Sequence, residues 1–460
     1  MQIKFHGAAG GEVTGSAYLV QTKNARVLVD GGMSQGGRAA AAKNRPPETA
    51  RRGKLDAVVL THAHLDHTGR LPLLAKLGYT GPVYATPATN QLTARILRDS
   101  ARLQLQDAER DNRKRERAGE PLYTPEHAEA IIPRLKEVPY QKPVTVAPGI
   151  RACWAEAGHM LGSASIQLLV EEDGRTKNVV FSGDLGSKGA PILRDYEPFQ
   201  QADKVVMESP YGDHDHRPFR ETVEEFVGIV KHAVENDGKV LVPTFAVGRA
   251  QLLTLLMSWM FRKGKVKPFP VFLDSPMAIE ATRIYTRHVE LFDDDMRACM
   301  REGLVRDDLK TMKATESADD SKAVNGVKGP CLIMAGAGMC NAGRILHHLR
   351  QNLWKPETHV IIVGYQARGS LGRLLVEGEQ FVGIHGEKIA VRAQIHTLGG
   401  FSAHAGQTDL LSWFSAIAPS KPRVIVAHGE DGPRKTLAKL IQQRHGLKPT
   451  MPAIGDVIEL

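Results

Sequence analysis

A chain of 460 residues is too long for one small core and calls for two domains or one elaborated domain. Its 42% hydrophobic and 24% charged residues are those of an ordinary globular protein, with no apolar run of membrane-spanning length and no signal-peptide pattern at the start, so a membrane protein is excluded and the cytoplasm is the expected location. A net charge of +9 favours a polyanionic partner, and four scattered cysteines (Cys153, Cys299, Cys331, Cys340) argue against disulfides or a cysteine-based metal site.

Residues 2–30 alternate like strands punctuated by Gly and Asn, which predicts an antiparallel meander ending in Asp30-Gly31-Gly32. Asp30, at a strand terminus before two glycines, is placed to orient a neighbouring ligand; the plainer reading is a turn-closing Asp. The apolar run 56–60 reads as a buried strand. It feeds Thr61-His62-Ala63-His64-Leu65-Asp66-His67-Thr68-Gly69, in which three histidines and one aspartate fall within six residues. A helix follows, with Pro72 tolerated in its first turn. The cluster therefore lies on a loop at the carboxyl end of a strand, with ligand types suited to zinc and similar divalent ions.

Residues 88–118 lack Gly and Pro and predict a long helix. Its Arg95, Arg98, Arg102, Arg110, Arg113, Lys114, Arg115 and Arg117, mixed with acids, read first as a solvated face and second as a nucleic-acid contact. Residues 150–157 and 162–171 read as strands joined by Gly158-His159-Met160-Leu161. Asp173-Gly174 then turns a hairpin into a strand ending at Ser182-Gly183-Asp184.

The texture changes after Glu208-Ser209-Pro210-Tyr211-Gly212. Helices over 217–236, 247–263, 277–289 and 341–351 alternate with strands over 239–242, 270–273, 330–335 and 359–363, a βαβ rhythm that implies a parallel sheet. Residues 304–328 read as a polar connection. Strand-end chemistry returns after about residue 385, in a strand over 390–395 and another running into His428, before a helix over 432–445. The expected architecture is one domain, 1–208 and 386–460, interrupted by an inserted α/β domain, 209–385.

His159, Asp184, His404 and His428 each close a strand or begin a helix, with Gly nearby. Singly each is as easily structural; with the central loop they form a set. Two metals about 3.5–4 Å apart need several ligands and a bridging carboxylate. The loop offers four ligands, His159 and Asp184 can complete one metal and bridge to the second, and His428 can complete the second.

In these residues the chain resembles the metallo-β-lactamase fold's hydrolases: His62-Ala63-His64-Leu65-Asp66-His67, with Asp30 before it and His159 and Asp184 after it. Glu208 in 206–213, His404 in 399–404 and His428 in 426–430 resemble motifs A, B and C of the β-CASP group, and within it the nuclease subunit of the pre-mRNA 3′-end cleavage factor and its bacterial and archaeal relatives. The resemblance covers nearly the whole chain. It implies an αββα sandwich with an inserted α/β (β-CASP) domain, and two zinc ions per chain. His62, His64, His159 and Asp184 would bind one; Asp66, His67, the shared Asp184 and His428 would bind the other. Asp30 would hold a ligand histidine in its tautomer, and a water between the metals would be the nucleophile. His404 would protonate the leaving 3′ oxygen with Glu208 orienting it, so His404, Glu208 and Asp66 count as catalytic.

Segments 243–249, 335–339 and 364–373 carry Gly at strand-to-helix turns; none matches a Walker loop, so nucleotide hydrolysis is not supported. The resemblance assigns phosphate contacts there to Arg249, Arg368 and Ser370. The chain shows no segment ahead of the first strand for the KH modules of archaeal relatives, nor the further C-terminal domain of ribonuclease J-like enzymes. Recruitment is therefore expected from the basic surface and an interdomain cleft. The expected activity is hydrolysis of single-stranded RNA, endonucleolytic with 5′→3′ exonuclease activity left open beside it, and homodimerisation is left open too. The alternatives are a small-molecule metallo-hydrolase of esters, lactams or thioesters, against which the insertion, the basic charge and Glu208/His404 weigh, and an inactive RNA-binding scaffold, against which the full ligand set weighs.

Overall fold

The structure, a computed structural model, describes residues 1–35, 43–44, 54–113, 120–303, 312–367 and 369–460, with the side chains of residues 110–113 outside that description. The chain divides into two units. The first comprises Met1–Gly189, Arg194–Asp215 and His404–Leu460; the second comprises Ala190–Leu193 and His216–Ala403.

In the first unit, two sheets face each other. One runs, edge to edge, Val457–Glu459, Gln2–Gly7, Ala17–Gln21, Arg26–Val29, Ala57–Val59, Val83–Ala85 and Leu135–Glu137. The other runs Arg423–Val426, Lys204–Met207, Arg175–Phe181, Ala164–Glu172, Ile150–Glu156 and Val144–Ala147. The predicted meander is present: the first three strands of the chain pair antiparallel in order. Residues alternate faces along each strand, so Ile3, Phe5, Val20 and Val27 meet Trp154, Ile166, Leu168 and Phe181 in an inner core. Each sheet's outer face carries helices. Val58, Leu60 and Val83 bury against Leu71, Leu74, Leu97 and Ile131, and Val180, Val205 and Val424 against Leu410, Phe414, Leu437 and Ile441. The result is the expected helix–sheet–sheet–helix sandwich.

The basic helix spans Pro87–Arg113. Ala88, Leu92, Leu97 and Ala101 bury one stripe, while exposed Arg98 and Arg102 pair with Glu129 and Asp99. That is the solvated-face reading for Arg98 and Arg102; Arg95 is half-buried, and the side chains of Arg110 and Arg113, and all of Lys114, Arg115 and Arg117, lie outside the described residues. No helix among the described residues is long and apolar enough to cross a membrane.

The second unit holds a six-stranded sheet, ordered Met312–Ala314, Val271–Asp274, Cys331–Ala335, Lys239–Pro243, His359–Ile362 and Gln394–Thr397. Every pairing in it is parallel, and its central strands are buried throughout, as sheets covered on both faces require. The strand expected over 390–395 is two elements. Glu387–Ala390 forms a separate hairpin with Phe381–Ile384. The N–H groups of Arg392 and Ala393 then turn aside to the Leu353 carbonyl, and pairing resumes only at Gln394, beside His359. This last strand therefore belongs to the second unit's sheet, although hydropathy alone aligns it with the strands of the first.

Asp274, fully buried at the end of its strand, ties this unit together. It accepts hydrogen bonds from Thr315, Ser321 and Arg344, and from His348 Nε2 at 2.6 Å. Burial alone would raise its pKa, but those donors outweigh burial and hold the carboxyl well below the usual carboxylate range. A depressed carboxylate contributes stability that is present above the unfolded pKa and lost as pH falls through the folded value. Asp274→Ala is accordingly expected to cost about 3–5 kcal/mol, since it leaves the Arg344 guanidinium and the Thr315, Ser321 and His348 side chains without the acceptor they converge on. Urea melts should also show the wild type losing stability more steeply than the variant below about pH 4.

Candidate metal centre

The parallel strands of the first unit release their polar residues at one edge. Asp30 follows Arg26–Val29, Thr61 and His62 follow Ala57–Val59, Asp184 follows Arg175–Phe181, Glu208 follows Lys204–Met207, and His428 follows Arg423–Val426. Carboxyl ends of strands are where such sheets place their chemistry. His64, Asp66 and His67 sit on and around the short helix Leu65–Thr68, and His159 comes from the loop after Ile150–Glu156.

Two groups form around one carboxylate. His64 Nδ1 lies 3.1 Å from both His62 Nε2 and His159 Nε2. Asp184 Oδ2 is 3.5 Å from His62 Nε2 and 3.7 Å from His159 Nε2. Its other oxygen, Oδ1, is 3.3 Å from His67 Nε2 and 3.6 Å from His428 Nε2. His67 Nε2 and His428 Nε2 are 3.3 Å apart, and Asp66 Oδ2 lies 3.8 Å from the latter. All seven expected ligands are thus brought together, with Asp184 between the two groups.

The donor chemistry fits divalent metal. Ring nitrogens that face one another cannot all donate, so their lone pairs are turned toward a common point, and three imidazoles with a carboxylate form a zinc-type set. Asp184 Oδ1 is buried and accepts no hydrogen bond. Burial lowers His62 well below the usual histidine value and His64 to about 4, leaving both neutral as ligands must be. Burial works the same way on His67, yet Asp184 and Asp30 raise it well above the ordinary value. A proton there occupies a place between carboxylates that a divalent cation would fill.

Asp30 lies against His67. Its Oδ2 lies 2.8 Å from His67 Nδ1, which directs Nε2 toward Asp184. Thr61 holds Asp30 in turn, donating its N–H to Oδ1 at 2.8 Å and its hydroxyl to Oδ2 at 2.9 Å. Asp30 and His428 both have positive φ, 57° and 46°. Such backbone is uncommon for non-glycine residues and persists only when its surroundings hold it; for His428 these are bonds to Ala8 and Ser209.

Beside Asp184, His404 Nδ1 lies 2.8 Å from Glu208 Oε2, and the other Glu208 oxygen accepts the Leu185 N–H. Glu208 is buried and His404 one-fifth exposed. Burial opposes a charge on His404, but the Glu208 carboxylate prevails and pushes it up to about 9.

The phosphate-contact candidates fall in the second unit. Arg249 is the first residue of the helix Arg249–Arg262. Ser370 is buried, and its hydroxyl accepts the Arg373 N–H to cap Leu371–Val376. Arg368 lies outside the described residues. Sequence reasoning overlooked Thr61, Ser163 and Glu156. Thr61, directly before His62 at a strand end, carried a signal; the other two are ordinary until the loop of His159 is seen folded.

Sequence comparison agrees with this geometry. Residues 10–244 match the family model of the metallo-beta-lactamase superfamily, residues 250–375 the Beta-Casp domain, and residues 388–452 the Zn-dependent metallo-hydrolase RNA specificity domain. The chain is 40% identical to Ribonuclease TTHA0252 of Thermus thermophilus, over 99% of both chains. It is 31% identical to Transcription termination factor FttA of Pyrococcus abyssi, over 98% of this chain and 70% of that one. The FttA of Methanocaldococcus jannaschii is 30% identical over 100% of this chain and 72% of its own. A crystal structure of a protein of unknown function from Enterococcus faecalis shares the fold at a TM-score of 0.53 and 12% identity, covering 100% of this chain and 99% of that one. The chain belongs to the metallo-β-lactamase superfamily, in the β-CASP group of metallo-hydrolases that includes the ribonuclease and termination-factor relatives.

Proposed function

We propose that this protein is a cytoplasmic, zinc-dependent ribonuclease that hydrolyses phosphodiester bonds of single-stranded RNA. The observation that carries the reading is Asp184, whose two oxygens face two separate groups of histidines while the Glu208–His404 pair stands alongside. The match to an RNA specificity domain and the 40% identity to a ribonuclease support the substrate class.

His62, His64, His159 and Asp184 would hold one zinc, and Asp66, His67, Asp184 and His428 the other. Bound there, two zinc ions would supply positive charge that lowers the pKa of water and offsets that of the phosphate. The chain's own residues do the rest. Asp30 keeps His67 in the tautomer that presents Nε2. Glu208 holds His404 by Nδ1 and favours its protonated form, so the proton on Nε2 is the one passed to the leaving 3′ oxygen. Asp66 turns a partly exposed carboxylate toward His428. Arg249 extends the proposal to the substrate's phosphates; the buried Ser370, whose hydroxyl caps its own helix, does not. The same reading leaves homodimerisation open, and light scattering decides it.

The test is a time course on 5′-labelled and internally labelled RNA by protein of measured zinc content. Two zinc ions per chain and internal fragments of intermediate length are expected. Release of mononucleotides alone from the first time point removes the endonuclease, and no cleavage by zinc-loaded protein removes the ribonuclease.

A further inference from the structure

Glu156 is a buried carboxylate to which the catalytic scheme gives no task. It ends the strand Ile150–Glu156 and is 3% exposed. Its Oε1 accepts two successive backbone donors, the N–H groups of Ala157 and Gly158, each at 3.1 Å. Its Oε2 faces Arg194 at 3.5 Å. Successive N–H groups turned to one side form a concavity that suits a carboxyl oxygen, and here the chain's own side chain fills it.

The residue after this concavity is His159. Gly158 has φ of +67°, and a Cβ there would come within 3.0 Å of the Arg194 carbonyl oxygen. The Ala157 carbonyl accepts the Gly186 N–H, two residues past Asp184. On the far side, Ser163 Oγ accepts the N–H groups of His159 and Met160, at 3.1 and 3.2 Å. Glu156 before the turn and Ser163 after it thus hold the backbone on either side of His159. The ring has to reach within 3.1 Å of His64 and 3.7 Å of Asp184. A small rotation of the 157–158 peptides would swing it off that point.

We propose that Glu156 is a positioning residue for the metal centre, acting through the Ala157 and Gly158 N–H groups to aim His159. This rests on the reading of the His62, His64, His159 and Asp184 group as a metal site. Residues that orient ligands are typically worth 10–100-fold in metal affinity. Glutamine keeps the length and one oxygen able to accept both N–H groups; aspartate keeps the charge and falls short of them; alanine removes both.

The experiment is competition for zinc against a chromogenic chelator, with visible spectra of the cobalt-loaded proteins and melting curves of the metal-free ones. Glu156→Ala and Glu156→Asp are expected to bind the zinc of the His62, His64, His159 and Asp184 group about 10–100-fold less tightly and to alter the cobalt spectrum, with Glu156→Gln close to wild type. Wild-type affinity in the aspartate variant overturns the proposal even if the alanine variant fails to fold. A lowered melting temperature with unchanged affinity also overturns it, as the mark of a merely structural role, and so does a glutamine variant as weak as alanine. Wild-type protein that takes up no zinc refutes the metal centre itself, an outcome separate from these.

Discussion

Asp184→Ala is expected to leave less than one zinc per chain and to slow RNA cleavage by about 10³-fold or more, the equivalent of several kcal/mol of transition-state stabilisation. The reason is geometric. Asp184 faces His62 and His159 with Oδ2 and His67 and His428 with Oδ1, so its loss damages both groups at once. Against burial, the neighbouring His428, His67 and His62 hold its carboxyl well below the ordinary value, so at neutral pH it is the anion that two cations need. Removing it trims a side chain at a strand end and leaves the inner core untouched. Circular dichroism should therefore report a native fold while elemental analysis reports the metal loss. Two zinc ions retained, or cleavage within tenfold of wild type, would refute the bridging assignment.

His404→Ala should behave differently. The zinc content is expected to stay at the wild-type level, because His404 is not one of the seven proposed ligands. Cleavage is expected to fall about 10²–10⁴-fold, the usual contribution of a positioned proton donor. An RNA in which sulfur replaces the leaving 3′ oxygen separates acid catalysis from other roles, since a thiolate departs without a proton. On that substrate the variant and wild type should differ by less than tenfold. An equal loss on both substrates would show that His404 does not protonate the leaving atom. Glu208→Gln should show the same pattern in weaker form, because it keeps a partner for His404 Nδ1 and removes the charge that raises the ring's pKa.

The local pattern of the chain carried much of this site. Three histidines and an aspartate in six residues, after an apolar strand, mark candidate ligands before any folding is known, because ligand chemistry resides in residue type and spacing. The βαβ rhythm beyond Tyr211 is likewise readable, since hydrophobic period and turn residues are local properties. The 390–395 stretch was misleading for the complementary reason. Its apolar character is that of a strand, but whether its N–H groups join a sheet depends on the Leu353 carbonyl, some forty residues earlier. Glu156 carried no signal at all, since a glutamate at a strand end is ordinarily exposed; only the folded turn buries it beneath His159.

The His62–His67 loop, read by itself, points to a metallo-hydrolase, the superfamily to which the chain belongs. What tertiary structure alone decided is which distant residues join that loop and which carboxylate stands beside His404. His428 follows the loop by more than 360 residues, and His404 follows Glu208 by nearly 200. Parallel pairing of Arg175–Phe181, Lys204–Met207 and Arg423–Val426 brings Asp184, Glu208 and His428 to one sheet edge. Strand order is set by long-range burial and hydrogen bonding, and no window of sequence contains it.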